Sequence, residues 1–255
     1  MTVQPLTIRD TVIGEGAPKV IIPLTADTET GLLEEAADVL AMEPDLIEWR
    51  ADLYQQVEDL EAVNQLLQLL RDRLGRIPLL FTFRTHKEGG SREFSDRAYA
   101  DLLHAVIRSG QADLIDVELF SAEEDVKAVV DAARERGVIV VMSNHDFQAT
   151  PPKDEIIARL RRMQDFGAHI PKLACMPASP ADVLTLLDAT HTMRSQYADR
   201  PFLTMSMGGQ GLISRMAGEL FGSALTFAAG RTASAPGQIP APELKQVLDI
   251  LHRRR

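Results

Sequence analysis

Eight short runs of β-branched and apolar residues recur along the chain, each followed by a longer amphipathic stretch. This alternation constrains the fold more than any other feature. The runs are Lys19–Ala26, Leu46–Asp52, Leu79–Arg84, Leu114–Leu119, Val138–Ser143, His169–Cys175, Phe202–Met207 and Ala224–Ala229. Their nearly continuous apolar character suits parallel strands covered on both faces. The stretches between them read as helices: Thr28–Met42, Val57–Leu74, Ser95–Ser109, Ser121–Arg136, Pro152–Phe166, Ser179–Tyr197, a shorter Ile213–Leu220 and Ala241–His252. Ser95 caps one of them, Gly75, Gly110 and Gly137 end others, and Ser121 with Glu124 reads as a capping box. Eight such units at this length point to α/β architecture as a closed (β/α)8 TIM barrel, with a doubly wound open sheet as the alternative. No GxGxxG follows the first run, which lowers the dinucleotide-binding version. Residues 1–255 read as a single barrel domain. Leu6–Arg9 and Thr11–Ile13 suggest a short hairpin closing the barrel bottom.

Composition removes several function classes. The net charge of −10 argues against nonspecific nucleic-acid binding, which needs a basic face. One cysteine, Cys175, rules out an intrachain disulfide framework and a multi-cysteine metal site. No window approaches the roughly 18 uninterrupted apolar residues of a membrane span. The opening MTVQPLTIRD lacks the pattern of a signal peptide, so a soluble cytoplasmic protein is expected.

In a barrel of this kind the chemistry sits at the C-terminal ends of the strands. Lys172 interrupts an apolar run there, and burying an ammonium is costly unless it is paired or loses its proton. A desolvated amine can attack a carbonyl, whereas the plainer reading is a lysine that reaches solvent or pairs with a carboxylate. His145 is the only histidine at the C-terminal end of a run, where it could act as acid and base or be structural. Glu88 could share its proton, or be a solvated loop carboxylate. Arg50, Arg84 and Arg215 come from three separate strand ends. Together they would form a cationic pocket for an anionic small molecule, although each singly could be a salt-bridge residue. Gly208–Gly211 could bind phosphate or simply turn the chain. Ser234 to Gln238 could close over a substrate or merely connect two elements.

These residues, in this order, resemble the type I 3-dehydroquinate dehydratases of the shikimate pathway. The matching segments are Glu48-Trp49-Arg50, Phe81-Thr82-Phe83-Arg84 with Glu88-Gly89-Gly90, Met142 to Phe147, Lys172 to Pro177, Met205 to Gly208, Ser214-Arg215, Phe221-Gly222-Ser223 and Ala233 to Ile239. The resemblance implies a (β/α)8 homodimer without metal or organic cofactor, acting in chorismate biosynthesis. It implies that Lys172 forms a Schiff base, that His145 is the general acid and base, and that Glu88 assists it. Glu48, Arg50, Arg84, Arg215, Ser234 and Gln238 match positions that bind substrate hydroxyls and carboxylate, with Arg215 holding the carboxylate and helping keep Lys172 uncharged by repulsion. One position departs: Pro23 stands where members often carry serine, which puts one substrate contact in question and leaves the catalytic pair intact. The rival readings are a class I Schiff-base aldolase acting on a phosphosugar, which Gly208–Gly211 would suit, and a non-catalytic binding barrel.

Overall fold

Eight parallel strands form one sheet that curls almost into a full cylinder. They are β3 (Lys19–Leu24), β4 (Leu46–Arg50), β5 (Leu79–Thr82), β6 (Leu114–Glu118), β7 (Ile139–Asp146), β8 (Ile170–Cys175), β9 (Leu203–Ser206) and β10 (Leu225–Phe227). The hairpin strands β1 (Leu6–Ile8) and β2 (Thr11–Ile13) precede them. The helices are α1 (Glu29–Leu40), α2 (Leu60–Leu74), α3 (Asp96–Ser109), α4 (Glu123–Arg136), α5 (Lys153–Asp165), α6 (Pro180–Thr192), α7 (Leu212–Met216), α8 (Gly218–Phe221) and α9 (Ala241–Arg253). The computed structural model describes residues 3–254, so Met1, Thr2 and Arg255 of the expected domain lie outside the described residues. From β3 to β8 each barrel strand pairs with its successor, and β10 pairs with β3. The remaining seam, between β9 and β10, is joined by Ala224 N donating to Phe202 O at 2.8 Å and Thr204 N donating to Ser223 Oγ at 3.2 Å. The TIM-barrel expectation is met and the open doubly wound sheet is not.

Alternation along the strands sorts side chains into two environments. One set faces the helices and forms a large outer core that includes Trp49, Phe81, Val117, Met142 and Leu173. The other faces inward. Ile21, Leu46, Leu80, Leu114, Val141, Ile170, Leu203 and Leu225, one from each barrel strand, pack together as a floor. Burying each such side chain contributes roughly 1.5–3 kcal/mol. Ile8 and Ile13 of the hairpin join this floor, and Arg9 in the hairpin turn is tied to Asp113 at 2.6 Å. The hairpin therefore does close the bottom. Moving two residues up five of these strands from the floor replaces aliphatic side chains with Glu48, Thr82, Asp116, Ser143 and Lys172, so the same parity that builds the floor aims the polar groups inward above it.

Several local expectations need correction. The Ser121–Glu124 capping box does not form: α4 starts at Glu123 with Ala122 as its cap, while Ser121 N bonds to Glu118 O in a turn leaving β6. A capping box does open α6, between Ser179 and Asp182. The expected helix Ile213–Leu220 is broken at Ala217 into α7 and α8. β7 extends to Asp146, which places His145 on a strand rather than in a loop.

Candidate active site

The upper end of the barrel holds a cavity of about 120 Å³ lined by Glu48, Arg50, Arg84, Glu88, His145, Lys172, Arg215, Ser234 and Gln238. The nine catalytic and substrate-binding candidates named from the sequence are thus brought to one place. A roomier cavity of about 290 Å³ lies near the opposite end, against Gly14, Phe202 and Ser223, and contains none of them.

Lys172 is 3% exposed. Its Nζ donates to Asp116 Oδ2 at 3.1 Å, stands 4.0 Å from Glu48 Oε1 and lies 4.7 Å above the centre of the Phe227 ring. The ion-pair partners of this amine are carboxylates that strand pairing brings within reach from β6 and β4. Burial alone would raise the proton affinity of Asp116. Arg84, Lys172 and the Ser143 hydroxyl outweigh burial and hold it below the ordinary carboxylate range.

His145 Nδ1 meets Glu88 Oε2 at 2.9 Å, and the same oxygen accepts the His145 backbone N–H at 3.0 Å. Burial first, then Arg84, Lys172 and Arg50, keeps the imidazole well below its usual value, so it is neutral near pH 7. Burial pushes Glu88 up to about 8 against the pull of Arg84, whose Nη1 is 3.6 Å away. His145 Nδ1 and Glu88 Oε2 are thus within hydrogen-bond reach for a proton to pass between them.

The three arginines differ in role. Arg50 makes a two-pronged ion pair with Asp52, at 2.8 and 2.9 Å, and donates to Ser234 O at 3.2 Å. Arg84 is enclosed by Asp116 at 2.9 Å and Glu118 at 2.8 Å, with a further bond to Ser143. Only Arg215 lacks a carboxylate partner among the described residues. Its Nη2 donates to Pro236 O at 3.0 Å, its Nε is buried with no acceptor, and burial pulls its pKa down to about 10. Of the three guanidiniums of the expected cationic pocket, Arg50 and Arg84 are matched by carboxylates and Arg215 is not. An anion is the complement that Arg215 lacks.

Ser234 and Gln238 bond to each other twice, Ser234 N to Gln238 Oε1 at 2.8 Å and Gln238 Nε2 to Ser234 Oγ at 3.0 Å. The loop carrying them packs against the glycine run: a Cβ on Gly237, whose φ is +77°, would stand 2.3 Å from Gly208 O. Glycines 208–211 do not line the cavity, since they form the tight turn that receives this loop. The phosphate reading, and the aldolase that rested on it, lose their support.

Sequence reasoning passed over Asp116 and Glu118. The available signal was two carboxylates two residues apart in an apolar run, which alternation turns to the same inward face. It also passed over Asp52, and over Asn144, which donates to Glu88 Oε1 at 3.1 Å.

Comparison with known proteins agrees with this geometry. Residues 20–255 match the family described as type I 3-dehydroquinase. The 3-dehydroquinate dehydratase of Bacillus velezensis is 61% identical over 98% of this chain and 99% of its own length. That of Bacillus subtilis is 58% identical over 97% of each chain. A crystal structure of the type I enzyme from Clostridium difficile, with covalently modified comenic acid, superposes with a TM-score of 0.97 at 46% identity, covering both chains completely.

Proposed function

The chain belongs to the type I 3-dehydroquinase family, and from that premise we propose that its reaction runs through a Schiff base on Lys172. The reaction itself is the hydro-lyase step that removes water from 3-dehydroquinate to give 3-dehydroshikimate. The observation that carries the covalent reading is the convergence on one cavity of a buried amine, a neutral imidazole and an unmatched guanidinium.

Arg215 binds the ring carboxylate, and Glu48, Arg50, Arg84, Ser234 and Gln238 orient the ring and its hydroxyls. The Lys172 amine, after losing its proton to water, attacks the ring ketone. Loss of water from the resulting carbinolamine leaves a protonated imine, which withdraws electrons from the neighbouring C–H bond. His145 Nε2 removes that proton with Glu88 behind Nδ1, and the enamine then expels the hydroxyl as water using the proton that His145 returns. Hydrolysis of the imine frees product and regenerates the lysine, so the steps use side chains and water alone. The same reading takes residues 1–255 as one domain, assembling as a homodimer in the cytoplasm.

Borohydride trapping tests it. Reduction in the presence of 3-dehydroquinate, followed by peptide mass mapping, is expected to fix a ligand-sized adduct on Lys172, and Lys172→Ala is expected to abolish turnover. Absence of an adduct on the folded wild-type protein, or near wild-type turnover by the variant, would overturn the covalent mechanism.

A further inference from the structure

We propose that Asn144 and Arg159 are positioning residues that fix which oxygen of Glu88 can carry the proton it shares with His145. The inference rests on the function proposed above, because it concerns the acid–base pair assigned there. Strand parity turns Asn144 away from the inward side chains of Ser143 and His145, toward the helix layer, where it is buried. Its Nδ2 donates to Glu88 Oε1 at 3.1 Å, and its Oδ1 accepts from Arg159 Nη1 at 3.0 Å.

An amide can offer a carboxylate either its nitrogen or its oxygen. Arg159 removes the choice, because a guanidinium has donors only. With Oδ1 committed to Arg159, Nδ2 is committed to Glu88. Arg159 is itself fixed on α5, with Nε donating to Glu155 Oε1 at 2.8 Å and Nη1 standing 3.4 Å from Asp146 Oδ2. Its guanidinium also lies 5.5 Å from the centre of the Phe120 ring.

The consequence falls on Glu88. Oε1 is held by the Asn144 N–H, whereas Oε2 accepts the His145 backbone N–H and also stands 2.9 Å from His145 Nδ1, so Oε2 is the oxygen that exchanges a proton with the imidazole. In the base form Glu88 is ionised, Nδ1 carries the proton and Nε2 is bare. When Nε2 takes the substrate proton, the Nδ1 proton passes to Oε2. The acid form is then a neutral imidazole with a proton on Nε2 beside a neutral carboxyl, and the return step reverses both transfers. No imidazolium has to persist in a buried site crowded by cations.

The groups facing Glu88 are Arg84 from the end of β5, Asp116 and Glu118 from β6, and Asn144 and His145 from β7. Among these, Asn144 and Arg84 favour the ionised carboxylate. Losing the amide donor makes Glu88 easier to protonate, so the pair stays in its acid form to higher pH.

The test is the pH profile of kcat in Arg159→Met, which keeps the aliphatic stem, and in Asn144→Asp, which keeps the shape and replaces the donor. In both, the acid limb is expected to move up by about half to one pH unit, as fits the loss of one hydrogen bond to an ionised group. The value of kcat at neutral pH is expected to fall roughly three- to tenfold while KM stays within about twofold, and Arg159→Lys, which retains a donor, is expected to recover part of the loss. An unmoved acid limb in either variant, a change in KM alone, or a lysine variant no better than methionine would overturn the inference. Arg159 lies on a surface helix, so its variants keep the test open should Asn144→Asp fail to fold. Borohydride trapping of the wild type separates the two readings: an adduct on Lys172 with an unmoved limb removes only this inference, whereas no adduct removes the Schiff base.

Discussion

Arg215→Met is expected to make the free protein more stable and the enzyme much worse. Arg215 is buried beneath the loop carrying Ser234 and Gln238, with one bond to Pro236 O, a distant contact of 3.7 Å to Met205 Sδ, and no acceptor at Nε. Burial depresses its pKa from the ordinary guanidinium value to about 10. At 1.36 kcal/mol per unit, that places a desolvation cost of about 3 kcal/mol on the charged form in the folded state. The cost is fully present below pH 10, where the guanidinium is charged, and fades as pH rises toward the unfolded value. Methionine of similar length removes the cost and forfeits one hydrogen bond of about 1 kcal/mol. A net gain on the order of 1–2 kcal/mol follows, or a melting temperature higher by roughly 2–8 °C for a chain of this size. Binding moves the other way. A carboxylate transferred into the cavity without its guanidinium loses about 3–5 kcal/mol, which lowers kcat/KM by on the order of 10²–10⁴-fold. Calorimetry of the ligand-free protein and initial rates from the ultraviolet absorbance of the conjugated product check the two arms. A variant that melts lower and keeps wild-type kcat/KM would refute the reasoning, since Arg215 would then be a structural residue.

Three further outcomes follow from the geometry. Asp116→Asn strips an ionised partner from both Arg84 and Lys172 and is expected to lower stability by about 3–5 kcal/mol in denaturant titration, and to slow imine formation in single-turnover trapping. His169 Nδ1 accepts Val140 N–H at 3.0 Å, and burial, Arg200 and Arg134 depress its pKa, so the unfolded chain takes up a proton near pH 6.5 that the folded chain refuses. Stability is therefore expected to fall as pH drops below about 6.5 with a slope of up to about 1.4 kcal/mol per unit, a component that His169→Asn should remove from the melting profile. Gly237→Ala places a Cβ against Gly208 O at a residue with φ of +77°, which should displace Ser234 and Gln238 and raise KM by roughly tenfold, with thermal stability changed by only a few degrees.

Some of this was determined by the sequence alone, because the determining forces are local. The order of apolar runs and amphipathic stretches predicts eight strand–helix units, and a strand end is recognisable from the residues beside it. Lys172, His145, Glu88 and the three arginines are legible for that reason: Lys172 interrupts an apolar strand, and the others lie near the C-terminal end of a strand or in the loop or short helix that follows. Ser95 is the cap of α3 by the same local logic, whereas Ser121 failed because β6 ends in a turn that its own hydrogen bonds stabilise. What pairs with what was decided by the tertiary structure. Arg84 meets Asp116, Glu118 and Glu88 because neighbouring strands set their inward residues side by side, and no periodicity in the sequence reports that register. The difference between Arg84, matched and fully charged, and Arg215, buried without a counterion, has the same origin. A side chain's type is written in one residue, but its partners, its hydration and hence its proton affinity depend on which distant segments the closed barrel brings against it.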